Sequence, residues 1–549
     1  MSNSNHDWFK QKTIYQVWPR SFCDSNGDGV GDIGGIISKL DYLQELGIEL
    51  IWLSPIFKSP MDDMGYDIAD YYQVDPIFGS NDDLQRLIDE AKQRNIGIIL
   101  DLVVNHTSDE HPWFLEAKKG RDNPYRDYYI WHDPVDGGRP TDQESFFLPY
   151  AWTLDEQSGQ YYYHLFSKRQ PDLNWDNPKI LDEVCQLMNF WLAKGIAGFR
   201  MDVIDFIGKK PFEQKLASER THELLKIIHE RTFANYPNTI AIGETLCATV
   251  GDAINYTSNH DQLDMTIPFE HVILDQIDGK TRLHYQVQDF VKFKQVFKKW
   301  QQGLHNGGWN SLYFSNHDQP RPVSRWGNDL EYRVESAKML ATVLHLMQGT
   351  PFIYQGEEIG MTNCQFDDYS EFRDVEIINF YNEFNSHPDW SREKIFHAIN
   401  TKGRDNARTP VQWSAGENAG FSSHTPWIKL NTNYPEINIA DDMSNQNSIW
   451  HFYKHLIQLR KELPIITYGD FDLLAEDDSH LFAYVRTYKH QHLLVVANFS
   501  ASKQDFEVPS QLATANWQLL TYNYQPNYPQ HNRLTLQPYE AVSFILTTD

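Results

Sequence analysis

The fold is decided by the stretch Ile196-Ala197-Gly198-Phe199-Arg200-Met201-Asp202-Val203. A short apolar run leads into an arginine and an aspartate that are two positions apart. Side chains of a strand alternate between its two faces, so Arg200 and Asp202 lie on the same face. The guanidinium favours the ionised carboxylate and fixes its rotamer, as a nucleophile or a charge-stabilising group requires. A structural salt bridge at the end of a strand would show the same local pattern.

Three further strand-like runs also end in acidic residues, and this repetition favours chemistry over an isolated salt bridge. These runs are Ile98 to Asp101, Ile240 to Glu244, and Leu312 to Asp318. Parallel α/β barrels place their catalytic groups at the carboxyl ends of the strands. We therefore expect the acids to share one face of the molecule.

Short apolar runs alternate with longer amphipathic segments along most of the chain, which is typical of parallel βαβ units. Gly47 supplies a helix stop, Asn81 and Ser448 are predicted helix caps, and Gly349 is predicted to stop the helix that carries residues 339–347. The pattern predicts an α/β fold, a (β/α)8 TIM barrel. The predicted strands occupy residues 13–16, 48–53, 96–103, 196–202, 240–244, 262–267, 312–318 and 351–354.

Two segments depart from this alternation. Residues 104–173 are rich in aromatic residues and turns, with a predicted hairpin at 151–166 around Gly159, and form an inserted small domain that should wall one side of the pocket. Beyond Pro464, short runs separated by turns predict an all-β sandwich without catalytic groups. The predicted domains are the barrel at 1–103 and 174–464, the insert at 104–173 and the sandwich at 465–549.

Composition narrows the class of partner. The formal charge is −27, which disfavours nucleic acid, anionic membranes and, weakly, a phosphorylated substrate. Four scattered cysteines show no metal-binding spacing and are expected to be reduced thiols. Neither a secretory signal nor a membrane-spanning run is visible. We expect a cytoplasmic monomer or weak homo-oligomer that acts on a small oligosaccharide and uses no organic cofactor.

Several motifs in order along the chain resemble the signature segments of the α-amylase superfamily, glycoside hydrolase family 13. A fifth segment, Gln170-Pro171-Asp172-Leu173-Asn174, is similar to one typical of the oligo-1,6-glucosidase and dextran glucosidase branch. The four signature segments are Asp101 to His106, Gly198 to Asp202, Gly243-Glu244, and Asn316-His317-Asp318.

The resemblance implies a retaining glycosidase with three carboxylates. Neighbouring strands lie about 4.8 Å apart, so Asp202 and Glu244 can reach the separation of about 5–5.5 Å that a retaining enzyme uses. Asp202 is then the nucleophile, and Glu244 the acid and base, whose pKa should exceed that of Asp202. Asp318 is expected to hold sugar hydroxyls, with neutral His106 and His317 as donors at the same subsite.

A second set of residues sets the shape of the pocket. In the loop 59–67, Tyr66 can stack under a glucose ring and Asp63 can accept two hydroxyls. In the family an arginine from a late loop pairs with this aspartate and closes the pocket, and Arg404 is the matching residue. A closed pocket implies an exo-acting enzyme, whereas unrelated surface charges would imply an open cleft and endo action. Val203 accompanies α-1,6 preference in this branch, because a stiff β-branched side chain restricts the leaving sugar.

The segment 24–32 resembles the calcium loop of this branch and most of an EF-hand loop. We expect side-chain oxygens to act as ligands, except at Val30, where the ligand is the backbone carbonyl. Gly35 stands at position 12 of the loop, where an EF-hand has its bidentate glutamate. A bare Asp/Asn/Gly-rich turn is the alternative. Any Ca²⁺ here would be structural. The expected ligands are Asp24, Asn26, Asp28, Val30 and Asp32.

Three functions fit these observations. The first is an exo-acting α-glucosidase on short α-1,6-linked glucosides such as isomaltose. The second is an α-1,4-glucosidase or a trehalose-6-phosphate hydrolase. The third is a catalytically silent carbohydrate-binding protein, against which the presence of all three carboxylates argues.

Overall fold

The computed structural model describes residues 7–305, 307–512 and 516–547, and its secondary structure runs as follows. The strands are β1 (Ile14–Val17), β2 (Leu50–Leu53), β3 (Phe57–Lys58), β4 (Asp70–Val74), β5 (Gly97–Leu102), β6 (Trp131–His132), β7 (Trp152–Asp155), β8 (Gln160–Tyr163), β9 (Gly198–Met201), β10 (Ile240–Glu244), β11 (Met265–Ile267), β12 (Ser311–Leu312), β13 (Thr350–Tyr354), β14 (Asp470–Leu474), β15 (Leu481–Tyr488), β16 (Gln491–Asn498), β17 (Gln504–Glu507), β18 (Asn516–Tyr522), β19 (Arg533–Leu536) and β20 (Ala541–Thr547).

The helices pack outside the barrel, in the loops and against the sandwich. They are α1 (Ile33–Ser38), α2 (Leu40–Leu46), α3 (Asn81–Gln93), α4 (Pro112–Ala117), α5 (Pro178–Leu192), α6 (Glu219–Arg231), α7 (Val250–Thr257), α8 (Phe290–Leu304), α9 (Pro322–Trp326), α10 (Arg333–His345), α11 (Val375–Phe384), α12 (Arg392–Lys402), α13 (Asp405–Arg408), α14 (Ile439–Ser444), α15 (Ile449–Glu462) and α16 (Pro464–Tyr468).

Eight parallel strands form the barrel, in the order β11-β10-β9-β5-β2-β1-β13-β12. A parallel bridge between Thr266 and Asn310 brings the two ends of this order together. Its strands are almost fully buried, as expected when helices cover the outside and side chains fill the inside. The predicted barrel is confirmed, and its carboxyl-end face carries the acids discussed below.

Residues 104–173 contain α4 and a small antiparallel sheet in the order β6-β8-β7. The predicted hairpin around Gly159 is therefore present. At the other end of the chain, β14-β15-β16-β20-β18 form an antiparallel sheet that packs over the pair β17-β19. The predicted boundaries at 103/104, 173/174 and 464/465 stay predictions.

Three local predictions were wrong. Ser80, and not Asn81, caps α3, because its hydroxyl accepts from the Asp83 backbone N–H in a capping box. The seventh strand ends at Leu312, so Asp318 lies on irregular backbone beyond it. Helix α10 ends at His345, and Gly349 has a φ of 127° in the loop that leads into β13.

No helix in the described part of the chain is long and apolar enough to cross a membrane. All four cysteines are free, and only Cys247 is exposed.

Candidate active site

Strand register explains how the charged residues of the opening stretch meet. Asp101 on β5 pairs with Arg200 on β9, and Met201 pairs with Gly243 on β10. Glu244 therefore lies level with Asp202 at the carboxyl ends of adjacent strands. Gly198 has a φ of 148°, and a side chain there would overlap the backbone of β10, so the close approach of these strands requires glycine.

One guanidinium joins three carboxylates at this face. Arg200 Nη1 lies 2.9 Å from Asp101 and 2.7 Å from Asp202, and its Nη2 lies 2.5 Å from Glu244. The Arg200 side chain is only 1 % exposed. The geometry brings the predicted nucleophile and the predicted acid together on a single fixed cation, and their catalytic roles stay predictions.

The pKa of Asp202 differs from the expectation that Arg200 alone would favour its ionised form. Burial raises the pKa of Asp202 well above its ordinary value; Arg200 opposes this rise, and Glu244 adds to it. Burial likewise raises the pKa of Asp101 to about 6. Arg200 acts on Asp202 in the expected direction, but one cation faces three carboxylates that are all buried. The expected order of the pKa values of Asp202 and Glu244 stays a prediction.

Val203 follows the proposed nucleophile in a left-handed backbone conformation, with φ 35° and ψ 43°. This conformation is unfavourable for a β-branched residue and costs about 1–3 kcal/mol. The backbone N–H of Val203 donates to Glu244 Oε2 at 2.9 Å. The side chain is 4 % exposed and packs in an apolar cluster with residues of the insert. The expected contact of Val203 with the leaving sugar stays a prediction.

A second network of ion pairs lies beside the first. Arg404 contacts Asp63 at 3.0 Å, Asp374 at 2.6 Å and Asp318 at 3.3 Å. Arg408 lies 3.0 Å from Asp318 and 2.7 Å from Asp374. Burial by itself would raise the pKa of Asp318, yet the guanidinium groups of Arg404 and Arg408 hold it well below its ordinary range. Asp318 is therefore a carboxylate, as binding of sugar hydroxyls requires.

The aromatic and imidazole rings form the floor of the site. Tyr66 stacks on His317 with ring centroids 5.2 Å apart and donates its hydroxyl to Asp101 at 3.0 Å. His106 Nε2 donates to the Tyr66 carbonyl at 2.9 Å, and His317 Nε2 lies 2.7 Å from the Tyr66 hydroxyl. Burial lowers the pKa of His106 to about 4 and that of His317 to about 3, so both rings are neutral. Their N–H donors already have protein partners.

Sequence reasoning missed two members of the second network, Arg408 and Asp374. Arg408 lies in the same short segment as Arg404, and that proximity was the only available signal. Asp374 caps α11 by accepting from the N–H groups of Glu376 and Ile377. A helix-cap pattern in the sequence could have predicted this role, but it would not have predicted the ion pairs of Asp374.

The fifth segment also reaches the site. The side-chain amide of Gln170 donates to Asp63 Oδ2 at 3.2 Å and lies 3.2 Å from His106 Nε2. Gln170 is fully buried. A segment quoted only for its resemblance therefore contacts two of the predicted binding residues.

The predicted calcium loop contains oxygen donors of the type that Ca²⁺ prefers. Both carboxylate oxygens of Asp24 accept hydrogen bonds from backbone N–H groups of the loop, and Ser422 also donates to one of them. Asp32 caps α1 by accepting from Gly35 N–H at 2.6 Å. Among the described residues, no group of three or more His, Cys, Asp or Glu side chains is arranged to hold a metal ion. The donor types fit calcium, and the ion stays a prediction.

Comparison with known proteins agrees with this geometry over almost the whole chain. The family model of the α-amylase catalytic domain matches residues 16–469, and that of the α-amylase SusG C-terminal domain matches residues 481–542. An oligo-1,6-glucosidase of Parageobacillus thermoglucosidasius is 48% identical, covering 97% of this chain and 98% of the relative. A glucan 1,6-alpha-glucosidase of Streptococcus pneumoniae is 50% identical, covering 91% of this chain and 93% of the relative.

Among solved structures, a trehalose-6-phosphate hydrolase of Bacillus licheniformis superposes with a TM-score of 0.95 at 43% identity, covering 98% of this chain and all of that one. The barrel, the convergent carboxylates and the matched residues lead to one conclusion: the chain belongs to the α-amylase family, glycoside hydrolase family 13, and is a glycoside hydrolase of its α-glucosidase group.

Proposed function

We propose that this chain is an exo-acting, retaining α-glucosidase that hydrolyses terminal α-1,6 bonds of isomaltose and isomaltooligosaccharides. The observation that carries the proposal is the Arg200 guanidinium, which fixes Asp202 and Glu244 side by side at 2.7 and 2.5 Å. Two carboxyl groups held side by side in this way can act as the nucleophile and the proton donor.

The reaction has two displacements. A carboxylate oxygen of Asp202 forms a bond to the anomeric carbon as the glycosidic C–O bond breaks, and Glu244 gives its proton to the departing oxygen. Water then attacks the same carbon, Glu244 takes the proton of that water, and the bond to Asp202 breaks. Two inversions leave the product in the α configuration of the substrate.

The second network supports exo action. Arg404 ties Asp63, from the loop after β3, to Asp318, from the loop after β12, and both Arg404 and Asp63 are buried. Such a bridge between loops closes one end of a cleft and leaves room for a terminal glucose. Residues that hold hydroxyls at a closed end favour release of single glucose units.

Linkage preference is supported by the relatives and by two local features. Both of the relatives named above carry 1,6-specific names, one an oligo-1,6-glucosidase and the other a glucan 1,6-alpha-glucosidase. Gln170 contacts Asp63 and His106 from the segment typical of that branch. Val203 supplies the β-branched side chain directly after the nucleophile.

Trehalose-6-phosphate hydrolysis is the second candidate, because the solved structure with TM-score 0.95 has that activity in its name. A phosphate would need a cation that is not already paired. Arg282, near Asp318, donates to the Asp318 carbonyl and lies 3.1 Å from Glu376. These contacts engage it, and the charge of −27 opposes a phosphorylated substrate.

The remaining parts of the proposal concern context. We propose a structural Ca²⁺ in the loop 24–32, which contains none of the proposed catalytic acids. We also propose a cytoplasmic protein that is monomeric or weakly homo-oligomeric. Four free thiols support a reducing compartment.

The test is a side-by-side assay of isomaltose, maltose, trehalose and trehalose-6-phosphate, with NMR detection of the first-formed anomer. We expect isomaltose to give the highest kcat/KM and α-glucose to appear first. A higher kcat/KM on trehalose-6-phosphate would favour the second candidate. A first-formed β anomer would contradict the retaining mechanism.

A further inference from the structure

We propose that the inserted segment 104–173 positions the proton donor of the reaction, by holding Val203 so that its backbone N–H fixes Glu244. This inference rests on the proposed function, in which Glu244 is the acid and base. It assigns the insert a positioning role in addition to that of a wall of the pocket.

Val203 and Glu244 are joined by a direct hydrogen bond. The Val203 N–H donates to Glu244 Oε2 at 2.9 Å, while Arg200 holds the other oxygen, Oε1, at 2.5 Å. The carboxylate is therefore fixed at both oxygens, by one side chain and one backbone group. The residue that provides this backbone bond lies in the left-handed region, with φ 35° and ψ 43°.

The left-handed backbone conformation of Val203 needs support from its surroundings. A β-branched side chain disfavours the left-handed region, so the surrounding structure must over-determine it. The turn provides one contact, in which Phe206 N–H donates to the Val203 carbonyl at 2.9 Å. That bond is local and does not involve the Val203 side chain.

An apolar cluster surrounds the Val203 side chain, and we name it the insert clamp. Its members come from the insert hairpin and from the turn after β9, with Leu246 of the loop after Glu244 packed against them. All six members are less than 5 % exposed. They are Ala151, Trp152, Tyr163, Leu165, Val203 and Phe206.

The same turn makes a further tie to the loop of the acid. Asp205 Oδ2 accepts from the Cys247 backbone N–H at 2.8 Å, three residues beyond Glu244. The insert, the turn after β9 and the loop after β10 thus form one packed unit. Loosening the insert clamp should move the proton donor, although no hydrogen bond or ion pair joins Glu244 to the insert within the described residues.

The experiment removes part of the insert clamp without touching the charged groups. Leu165→Ala opens it from the insert side, and Leu187→Ala in α5 is the matched control, since each leucine is 1 % exposed and only Leu165 is in the clamp. For each variant, kcat/KM is measured on isomaltose, which needs protonation of its leaving group, and on 4-nitrophenyl α-glucoside, which needs it far less. The pH profile on isomaltose and the melting temperature complete the set.

We expect Leu165→Ala to lower kcat/KM on isomaltose about tenfold and on the aryl glucoside at most about threefold. The alkaline limb of the pH profile should move to higher pH, because a hydrogen bond from N–H favours the ionised form of the carboxylate that accepts it. Leu165→Met, which conserves volume, should restore both readouts. Leu187→Ala should lower only the melting temperature. Should Leu165→Ala fail to fold, Leu165→Val replaces it, with a smaller effect of the same kind.

Equal losses on both substrates, an unmoved pH profile, or the same pattern in Leu187→Ala would overturn the inference. Glu244→Gln separates this failure from failure of the proposed function. If Glu244→Gln loses activity on isomaltose and keeps it on the aryl glucoside, the proposed role of Glu244 stands whatever Leu165→Ala does. If Glu244→Gln shows no such difference, the proposed function itself is wrong.

Discussion

Two regions of this molecule bury arginines, and they do so with opposite kinds of partner. At the carboxyl-end face of the barrel, Arg200 and Arg404 each contact several carboxylates. At the junction of barrel and sandwich, Arg460 and Arg486 donate to backbone carbonyls and form no ion pair within the described residues. Burial is almost complete in both regions.

The difference shows which buried charges indicate chemistry. Burial lowers the pKa of Arg460 to about 9 and that of Arg486 to about 10, and neutral carbonyls do little to oppose it. At the barrel face the pKa of Arg200 lies well above its ordinary value in spite of burial, because Asp101 and Glu244 face it. Carbonyl partners anchor a junction. Carboxylates gathered on one cation leave acidic groups that can attack a substrate or transfer a proton.

The largest expected effect is at the carboxylates. Asp202→Asn removes the nucleophilic charge with little change in volume, so kcat on isomaltose should fall by several orders of magnitude, on the order of 10⁴-fold. The melting temperature should change little, because Arg200 keeps two carboxylate partners. Steady-state kinetics and a thermal scan of the purified variant check both statements. Near wild-type hydrolysis would remove Asp202 from the mechanism.

The junction should behave in the opposite way. Arg486→Met leaves carbonyls of the residues 346, 466, 469 and 470 without a donor, and should lower the free energy of unfolding by about 3 kcal/mol. The kcat of the folded variant should be unchanged, since the site is untouched. Denaturant unfolding and kinetics at 25 °C measure the two quantities. A large loss of kcat with intact stability would show that the two regions do not differ as described.

A smaller effect is expected for linkage choice. Val203→Ala should narrow or reverse the preference for isomaltose over maltose, by roughly ten- to two-hundredfold in the ratio of kcat/KM values. The loss of one or two methyl groups changes the discrimination between two substrates by no more than this factor. The two substrates are compared in wild type and variant under the same conditions. An unchanged ratio would place linkage choice elsewhere, in the insert or in the loop around Glu376.

Calcium is expected to have the smallest effect on catalysis. If the loop 24–32 binds the ion only in the folded state, chelation should lower the melting temperature, and saturation at about 100 times the dissociation constant should contribute about 2.7 kcal/mol. The pH profile of activity should not change. Identical melting curves with EDTA and with excess calcium would favour the bare turn, whose carboxylates accept from their own backbone.

The sequence was informative where function follows strand register. Asp101, Asp202 and Glu244 could be placed together because each ends a short apolar run, and parallel strands bring such ends to one edge. Asp318 was found from its motif, although the run before it is mostly not a strand. The local pattern and the family resemblance together were enough to predict the positions of these carboxylates.

Other features depend on tertiary contacts and left no local signal. Arg408 and Asp374 are 34 positions apart and meet only because two loops fold over the barrel. The left-handed backbone of Val203 contradicts the preference of valine, so it cannot be predicted from residue type. It follows from the packing of an insert whose own contacts are distant in sequence.

The central claim is that Asp202 forms a covalent bond to glucose during the reaction. The most direct measurement is incubation with 5-fluoro-α-glucosyl fluoride, which slows the second displacement, followed by peptic digestion and mass spectrometry. The account predicts one label per chain, on the peptide that contains Asp202, and faster accumulation of the label than of released sugar. A label on Glu244 or Asp318, or full turnover without any label, would contradict it.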